Sequence, residues 1–586
     1  MTPENRNLIL AVALSMIVLF GWQLMVIQPE IDEEQAKQAL LIEQQAAKKS
    51  LDSAQNFGTP MVVASSGAQN TTGANGQNDM SADTAKRITI DAPLVQGSFS
   101  LQGARIDDIV LTGYRETLDT ASANISFLKK TSSQSSFFAE FGWASADASQ
   151  PMPNAQTLWE SNSDLLSPSS PVSLRWDNGK GLIFTRKISI NDDYLITYDD
   201  SVASSLDGPI TMYPYGLVRR QGTPSMSGLY ILHEGPLGVF DETLDELDYS
   251  DLKDAPAGGI KIETAEAGGW IGITDKYWLA ALLPSQQNKF TFSFQSLPGK
   301  ADRYQTDYID NSGQILAAGG AVSTQGRLFA GAKKVALLDH YKDELGIPNF
   351  DLAIDFGWFY FLTKPFFYAI NWLFQLFGNF GVATLAFTVV VKLAFFPLAN
   401  KSYRSMAKMR ILTPKLQLLR ERFGDDRMKL NQEMMALYKA EKVNPAAGCL
   451  PVLLQIPVFF ALYKVLFVTI EMRHAPFFGW IADLSAPDPT SIFNVFGLLP
   501  YSVDFLPPFL QLGLWPIFMG VSMFFQMRLN PAPPDPIQAK IFQWMPVFFT
   551  FLLATFPAGL VIYWTWNNLL SMAQQWYIMK KVAKSN

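Results

Sequence analysis

Beyond residue 350 this sequence passes through apolar stretches at 356–377, 380–399, 449–470, 512–528, 541–556 and 558–578, with another near its start at 8–27. A helix rises 1.5 Å per residue, so the 20 residues of 8–27, where only Ser15 and Gln23 are polar, reach ~30 Å, the hydrocarbon thickness of a bilayer. A cleaved secretory signal is shorter and ends in a small-x-small site. Here Val26-Ile27-Gln28-Pro29-Glu30 follows, so residues 1–29 are expected to be an uncleaved signal anchor.

Charge divides the chain in two. Residues 1–350 hold 26 Lys+Arg and 41 Asp+Glu, a net −15, and residues 351–586 hold 20 and 12, a net +8, which together give the −7 of the whole chain. An acidic front and a basic, apolar back exclude a nucleic-acid reader with a chain-wide basic face. One cysteine, Cys449, excludes an intramolecular disulfide framework, and a small buried apolar role is expected for it. His233, His340 and His474 have no Cys or His at metal spacing, and neither a phosphate-binding loop nor a dinucleotide fingerprint is present. Neither a metal nor any other cofactor is expected.

Residues 30–87 shift to Gln, Ala, Lys and Glu and then to Ser, Gly, Asn and Thr, too little apolar surface to offset ordering entropy, so they read as a flexible linker. From 88 to 345 the hydrophobic period becomes two, in runs such as 182–188, 194–198 and 290–294 separated by Asp, Asn, Gly and Pro turns. That spacing predicts a large all-β sandwich, read as a scaffold because a fold alone carries no function.

Positive charge orients the remainder. The segment 401–443 carries eleven Lys/Arg against five acids, whereas 471–511 carries Arg473 and four acids. The positive-inside rule then places 401–443 and the Lys580, Lys581, Lys584 tail in the cytoplasm. With the N-terminus inside and the sandwich outside, one span, 380–399, must bring the chain back. Counting 356–377 as another would reverse the basic segment. Eleven of its 22 residues are aromatic and Lys364-Pro365 lies in its middle, which suits an interface, so 346–379 is expected to hold an amphipathic helix flat on the outer surface. The C-terminal core, 380–586, is then a five-helix transmembrane bundle with spans 380–399, 449–470, 512–528, 541–556 and 558–578. Ile492–Pro500 and Phe505–Gly513 in its outer loop, broken by Pro500, Pro507 and Pro508, read as interfacial.

The expected spans contain no Asp or Glu and two lysines, Lys392 and Lys464. An ionisable group inside a membrane is costly and marks function by default. Lys464, near the outer end of its span, is expected to snorkel outward. Lys392 lies ~10 Å from the cytoplasmic end by helix rise, with Thr388 one turn away on the same face, and fits a wet cavity in the inner half of the bilayer. Gln455, Tyr563, Asn567 and Asn568 are further polar groups in the spans. Interhelical hydrogen bonding accounts for Gln455 or the Asn pair taken alone. The segment 401–443 reads as a helical hairpin, with Met406, Met409, Leu412, Leu416, Leu419 and Phe423 at three- and four-residue steps and Met428, Met434, Met435 and Tyr438 on a second arm. Gly424 ends the first arm and Asp425 or Asp426 caps the next. The plain reading is a two-helix coiled coil with a solvated basic face; beyond it, the methionines offer an adaptable contact surface and the basic residues are suited to anionic lipid.

Glu433-Met-Met-Ala-Leu-Tyr-Lys-Ala-Glu-Lys-Val-Asn-Pro445, Gly448-Cys449-x-Pro451, Gln455-x-Pro457 and Phe556-Pro557-Ala558-Gly559-Leu560 resemble the YidC family of membrane protein insertases, in its long Gram-negative form. The motifs lie within about 380–580, and the order of segments matches over the whole chain. The resemblance implies an inner-membrane insertase and chaperone with a hydrophilic groove in the inner leaflet, working alone or with the Sec translocon. Its groove positions fall on Lys392, where the family usually has Arg, and on Thr388, Gln455 and Tyr563. Lysine keeps the charge but loses the planar fork. The resemblance further implies that clients slide along spans 449–470 and 541–556 into lipid. The hairpin would receive nascent membrane proteins from the ribosome and signal-recognition targeting factors. No catalytic residue, cofactor or metal is implied. The competing class is a secondary transporter using Lys392 in a polar cavity, against which stand five uneven spans without intramembrane acids.

Overall fold

The computed structural model describes residues 85–585 apart from 227–231, 256–258, 298, 300, 424–425, 442, 444–449, 500–502, 504, 508–509 and 531–535. The expected anchor at 8–27, nearly all of the 30–87 linker, Gly424, Asp425 and Cys449 lie outside the described residues. The first strand, Arg87–Asp91, takes the last residue assigned to the linker.

In Leu182–Ile190 every second residue is buried, the period-two pattern of a strand with one face on a core. It pairs antiparallel with Leu195–Ser204, which pairs on its other side with Ala321–Ala332. Asn191 closes the intervening turn, its side-chain oxygen accepting from the Asp193 and Leu195 amides at 3.1 and 3.0 Å. Repeated along the chain, such pairings build, among the described residues, a nine-stranded sheet and an eleven-stranded sheet, the latter centred on Ile210–Gln221 between Phe137–Ser145 and Arg303–Asp310. Buried side chains of both sheets, among them Phe99, Phe184, Tyr198, Phe294 and Phe329, form one hydrophobic cluster.

The sandwich ends earlier than the expected residue 345. After Ala332 the chain forms helix α1 (Val335–Leu345) and a 3-10 turn, Phe350–Ala353. This segment packs on the nine-stranded sheet. Trp270 and Phe329 set their rings edge-on against Phe350, and the Trp270 indole donates to the Pro348 carbonyl at 3.1 Å. Trp270–Thr274 is therefore buried along its whole length rather than alternately.

Helix α2 (Tyr360–Phe377) buries Phe367, Ile370 and Leu373 and leaves Phe361, Trp372 and Leu376 exposed, with Pro365 in its first turns. Its Lys364 bonds Asp339 at 2.7 Å and Asp351 at 2.5 Å, Lys342 reaches Asp351 at 3.0 Å, and Tyr360 and Tyr368 donate to Asp351 and Asp339. Burial opposes ionisation of Asp351, but the bonds from Lys364, Tyr360 and Lys342 outweigh it and hold the carboxyl down at about 2.

The helical core comprises α3 (Phe380–Ala394), α4 (Phe396–Phe423), α5 (Arg427–Ala440), α6 (Leu450–Val468), α7 (Leu514–Leu529), α8 (Pro536–Leu552) and α9 (Ala558–Ser585). Within the expected span 380–399 the helix breaks at Phe395 and turns through 69° into α4. Pro397 explains the break, since it lacks an amide hydrogen and its ring clashes with the preceding turn, yet it is well suited to the first turn of a new helix. The first hairpin arm thus begins at Phe396, within the expected span. Among the described residues no single helix is both long and apolar enough to cross a membrane, and the bent pair α3–α4 meets that test together. Asp426 caps α5, accepting from the Lys429 amide at 3.0 Å.

Sandwich and core meet at a joint of named contacts. Lys464 of α6 pairs with Asp355 at 2.8 Å. Lys276 lies over the Phe467 ring at 3.5 Å, Glu471 accepts from the Val335 amide at 3.1 Å, and Arg473 donates to the Arg115 carbonyl at 2.6 Å. Burial pushes the Glu471 carboxyl up to about 7, against the opposing effects of two backbone bonds and Lys334. The other Glu471 oxygen is buried without a hydrogen-bond partner among the described residues, consistent with a protonated group.

Candidate functional site

Asn379 starts α3 by accepting from the Val382 amide at 3.0 Å, which fixes the helix that carries Thr388 and Lys392. Thr384 and Thr388 are buried, and each donates its hydroxyl to the carbonyl four residues earlier, Phe380 at 2.9 Å and Thr384 at 2.7 Å. A threonine satisfied this way tolerates an apolar bundle. One turn on, the Lys392 ammonium donates to Ser571 Oγ of α9 at 2.7 Å, and Ser571 in turn donates to the Asn567 carbonyl at 2.7 Å.

Thr388 and Lys392 open onto one cavity of about 610 Å³, counting its mouth. From α3 it receives Thr388, Val391 and Lys392, from the bend and α4 Phe395, Leu398, Ala399 and Tyr403, from α6 Gln455, Val458 and Leu462, and from α9 Tyr563, Asn567 and Gln574. Lys392, Thr388, Gln455 and Tyr563, the four groove positions named from the sequence, thus line the same space. Gln455 stands beside the Tyr563 hydroxyl. The Gln574 amide nitrogen is buried without a partner among the described residues. Among the described residues no Asp or Glu lines the cavity and no ion pair reaches Lys392. The arrangement is a positive charge in a polar recess walled by apolar helices. It attracts anions and solvates polar chain, and it holds no nucleophile–base pair.

Ser571 and Tyr403 were not singled out from the sequence. Ser571 follows Asn567 by one helical turn, so the polar face of α9 was present as a four-residue repeat. Tyr403 reaches the cavity because α4 starts early and carries it back toward α9. Asn568 follows the structural alternative: it donates to Ser522 Oγ of α7 at 3.0 Å, an interhelical bond away from the cavity.

At the start of α9 the bundle is held by backbone contacts. The Ala558 and Gly559 amides donate to the Ala486 and Leu484 carbonyls at 2.7 and 3.0 Å, so the loop after α6 sits on the start of α9. A Cβ on Gly559 would come within 3.0 Å of the Leu484 carbonyl oxygen and 3.3 Å of its side chain, which accounts for glycine in Phe556-Pro557-Ala558-Gly559.

The helices named as a client slide carry exposed apolar side chains: Ile456 and Phe460 on α6, and Ile541, Trp544, Val547 and Phe548 on α8. In the hairpin the methionines separate. Met406 is buried against Tyr403 and Ile578, Met409 and Met434 are half-buried, and Met435 is exposed. Lys415 and Glu441 join the two arms at 2.7 Å.

Residues 372–585 match the family model described as 60Kd inner membrane protein, and residues 87–369 match the YidC periplasmic domain. The membrane protein insertase YidC of Nitrobacter hamburgensis is 49% identical over 597 residues, covering 99% of this chain and 96% of its own. That of Granulibacter bethesdensis is 53% identical over 498 residues, covering 84% and 86%. Among solved structures, a crystal structure of an active YidC insertase with its first transmembrane domain resolved is 17% identical, covers 85% of this chain and 93% of that one, and superposes with a TM-score of 0.36.

Proposed function

Because this chain belongs to the YidC family of membrane protein insertases, we propose that it inserts and helps fold inner-membrane proteins by admitting their polar segments to the cavity around Lys392. The gathering of Lys392, Thr388, Gln455 and Tyr563 in one recess without a carboxylate carries this reading. A polar tail that enters the recess crosses a shortened hydrocarbon barrier. A client carboxylate ~6 Å from Lys392, at an effective dielectric near 20, gains about 3 kcal/mol of attraction. The client's apolar segment then leaves along the exposed faces of α6 and α8, and its burial in lipid drives the step. The process makes no bond and uses no cofactor, so the protein acts as an insertase and chaperone rather than an enzyme.

In this reading the N-terminus, the α4–α5 hairpin and the C-terminus are cytoplasmic and the sandwich is periplasmic. Residues 8–27 form the anchor, the core crosses the membrane five times, and α2 lies on the outer surface. The basic hairpin is the receiving platform for nascent chains from the ribosome and signal-recognition targeting factors. The apolar faces are the side from which the Sec translocon hands over clients.

Purified protein in nucleotide-free liposomes, offered a single-span client with a short acidic tail, tests the reading by protease protection. Wild type and Lys392→Arg are expected to protect the client, and Lys392→Ala to lose at least about tenfold of that protection. Equal protection by all three removes Lys392 from the mechanism. Protection no better than that of empty liposomes, with this client and a second one, rejects insertion in favour of transport.

A further inference from the structure

We propose that residues 492–499, at the tip of the loop joining α6 to α7, form an apolar wedge seated in the outer leaflet of the bilayer. The inference rests on the membrane-spanning reading above and concerns a surface that reading leaves unused.

Asp504 is the one charged residue between Asp488 and Arg528. The base of the loop is a rigid polar knot. Asp488 accepts from the Trp480 indole at 3.0 Å, the Thr490 amide and hydroxyl at 3.0 and 2.7 Å, and the Trp515 amide at 2.9 Å, where α7 begins. The Ile492 amide donates to the Leu512 carbonyl at 2.9 Å, drawing the two strands of the loop together. Above this knot the tip turns its large apolar side chains outward: Ile492, Phe493, Val495, Phe496, Leu498 and Leu499 are all exposed, Leu498 at 81%.

Two features separate this tip from an ordinary surface loop. Val495 and Phe496 are both left-handed, at φ 52° and 58°, a conformation that a β-branched or bulky residue adopts only when its surroundings enforce it. The enforcement is internal. The Phe496 amide donates to the Ser491 carbonyl at 2.6 Å, Leu498 to Val495 at 3.3 Å, Leu499 to Asn494 at 3.0 Å, and Gly497 to the Asn494 side chain at 3.0 Å. The tip therefore satisfies these four amide hydrogens internally, which lowers the cost of seating its irregular backbone at the boundary between headgroups and acyl chains. The loop also continues directly from α6 and α7, whose exposed faces, with Phe460 on one and Phe518 and Val521 on the other, are the lipid-facing surfaces of the spanning reading. The wedge prolongs that apolar surface at its outer end, and its occupant is lipid.

The test uses the full chain in liposomes, with Cys449→Ser (or Cys449→Ala, should the serine variant insert poorly) so that one introduced cysteine carries an environment-sensitive fluorophore. Leu498→Cys and Phe493→Cys report on the tip. Ile315→Cys, 74% exposed on the sandwich, reports on water, and Trp544→Cys, 67% exposed on α8, reports on lipid. Labels at 498 and 493 are expected to be quenched about threefold more by nitroxide-bearing lipids than the label at 315, and to resist soluble iodide as the label at 544 does. Iodide quenching at the tip equal to that at 315, with 544 still shielded, overturns the wedge and leaves the spanning reading intact. Iodide access at 544 as well overturns the spanning reading itself. Shielding of the tip from both quenchers assigns it to a protein contact and overturns the lipid assignment.

Discussion

Arg186 of the sandwich and Lys392 of the helical core are both cations drawn in from the surface, and the fold treats the two in opposite ways. Inside the sandwich Arg186 meets Asp200 through two parallel bonds of 2.8 and 2.7 Å and spends a further bond on the Phe141 carbonyl. Arg87 pairs with buried Asp107 and Arg105 with buried Glu140 in the same domain. In the core Lys392 has a serine hydroxyl, a cavity and, among the described residues, no acid. A buried charge with a matched partner is architecture, because the fold has already spent its attraction. One left beside a recess keeps that attraction for something else.

The comparison breaks most readily at Arg186. Arg186→Met leaves Asp200 buried and alone, and should destabilise the sandwich by about 3–5 kcal/mol, whereas Arg186→Met with Asp200→Leu recovers most of the loss. Thermal loss of near-ultraviolet circular dichroism in the full chain reads this. Lys392→Met should do the reverse, leaving the melting profile of the protein in place while client insertion collapses. If Lys392→Met unfolds the core, the contrast between the regions fails.

Glu471 sharpens the comparison at the joint between them. Its carboxyl is pushed by burial from the ordinary 4.5 up to about 7, so the folded state binds its proton more tightly than the unfolded chain. Its stabilising effect is whole below about pH 4.5 and is lost as pH rises through 7, a change of roughly 3 kcal/mol for a shift of this size. Glu471→Gln should flatten that slope in hydrogen exchange of the α1 and Lys464 regions between pH 5 and pH 8. The smallest effect belongs to Ser571→Ala. It removes the hydrogen bond that steers the Lys392 ammonium but keeps the charge, so insertion should fall by only about two- to threefold.

Much of this was legible in the sequence wherever one face of an element meets water or lipid and the other a core. The strands at 182–190, 195–204 and 290–297 announce themselves by alternation. Trp270–Thr274 does not, because α1 and Phe350 cover its second face and the signal of half-burial disappears. Lys392, Thr388, Gln455 and Tyr563 could be named because polar groups stand out against apolar spans. Ser571 escaped notice because a lone serine in a helix is unremarkable until the lysine 179 positions away reaches it. The bend at Phe395 did have a local signal, Pro397, but the apolar run continues across it and hydropathy alone sees one segment. Lys464 was placed outward by its depth, while its partner Asp355 could come only from the fold.

The joint also imposes a timetable on biosynthesis. The last strand of the sandwich closes at Ala332, but the segment that follows it waits for residues not yet made: Asp355 for Lys464, 109 positions later, and Val335 for Glu471, 136 positions later. At ~5–20 residues per second the delay is roughly 5–30 s. The sandwich is therefore a finished body for many seconds while its own attachment surface, apolar at Ile354 and Phe356, has no helix to rest on. An insertase must itself be inserted, and this chain passes through an interval in which it presents the kind of unpartnered surface it exists to manage in others.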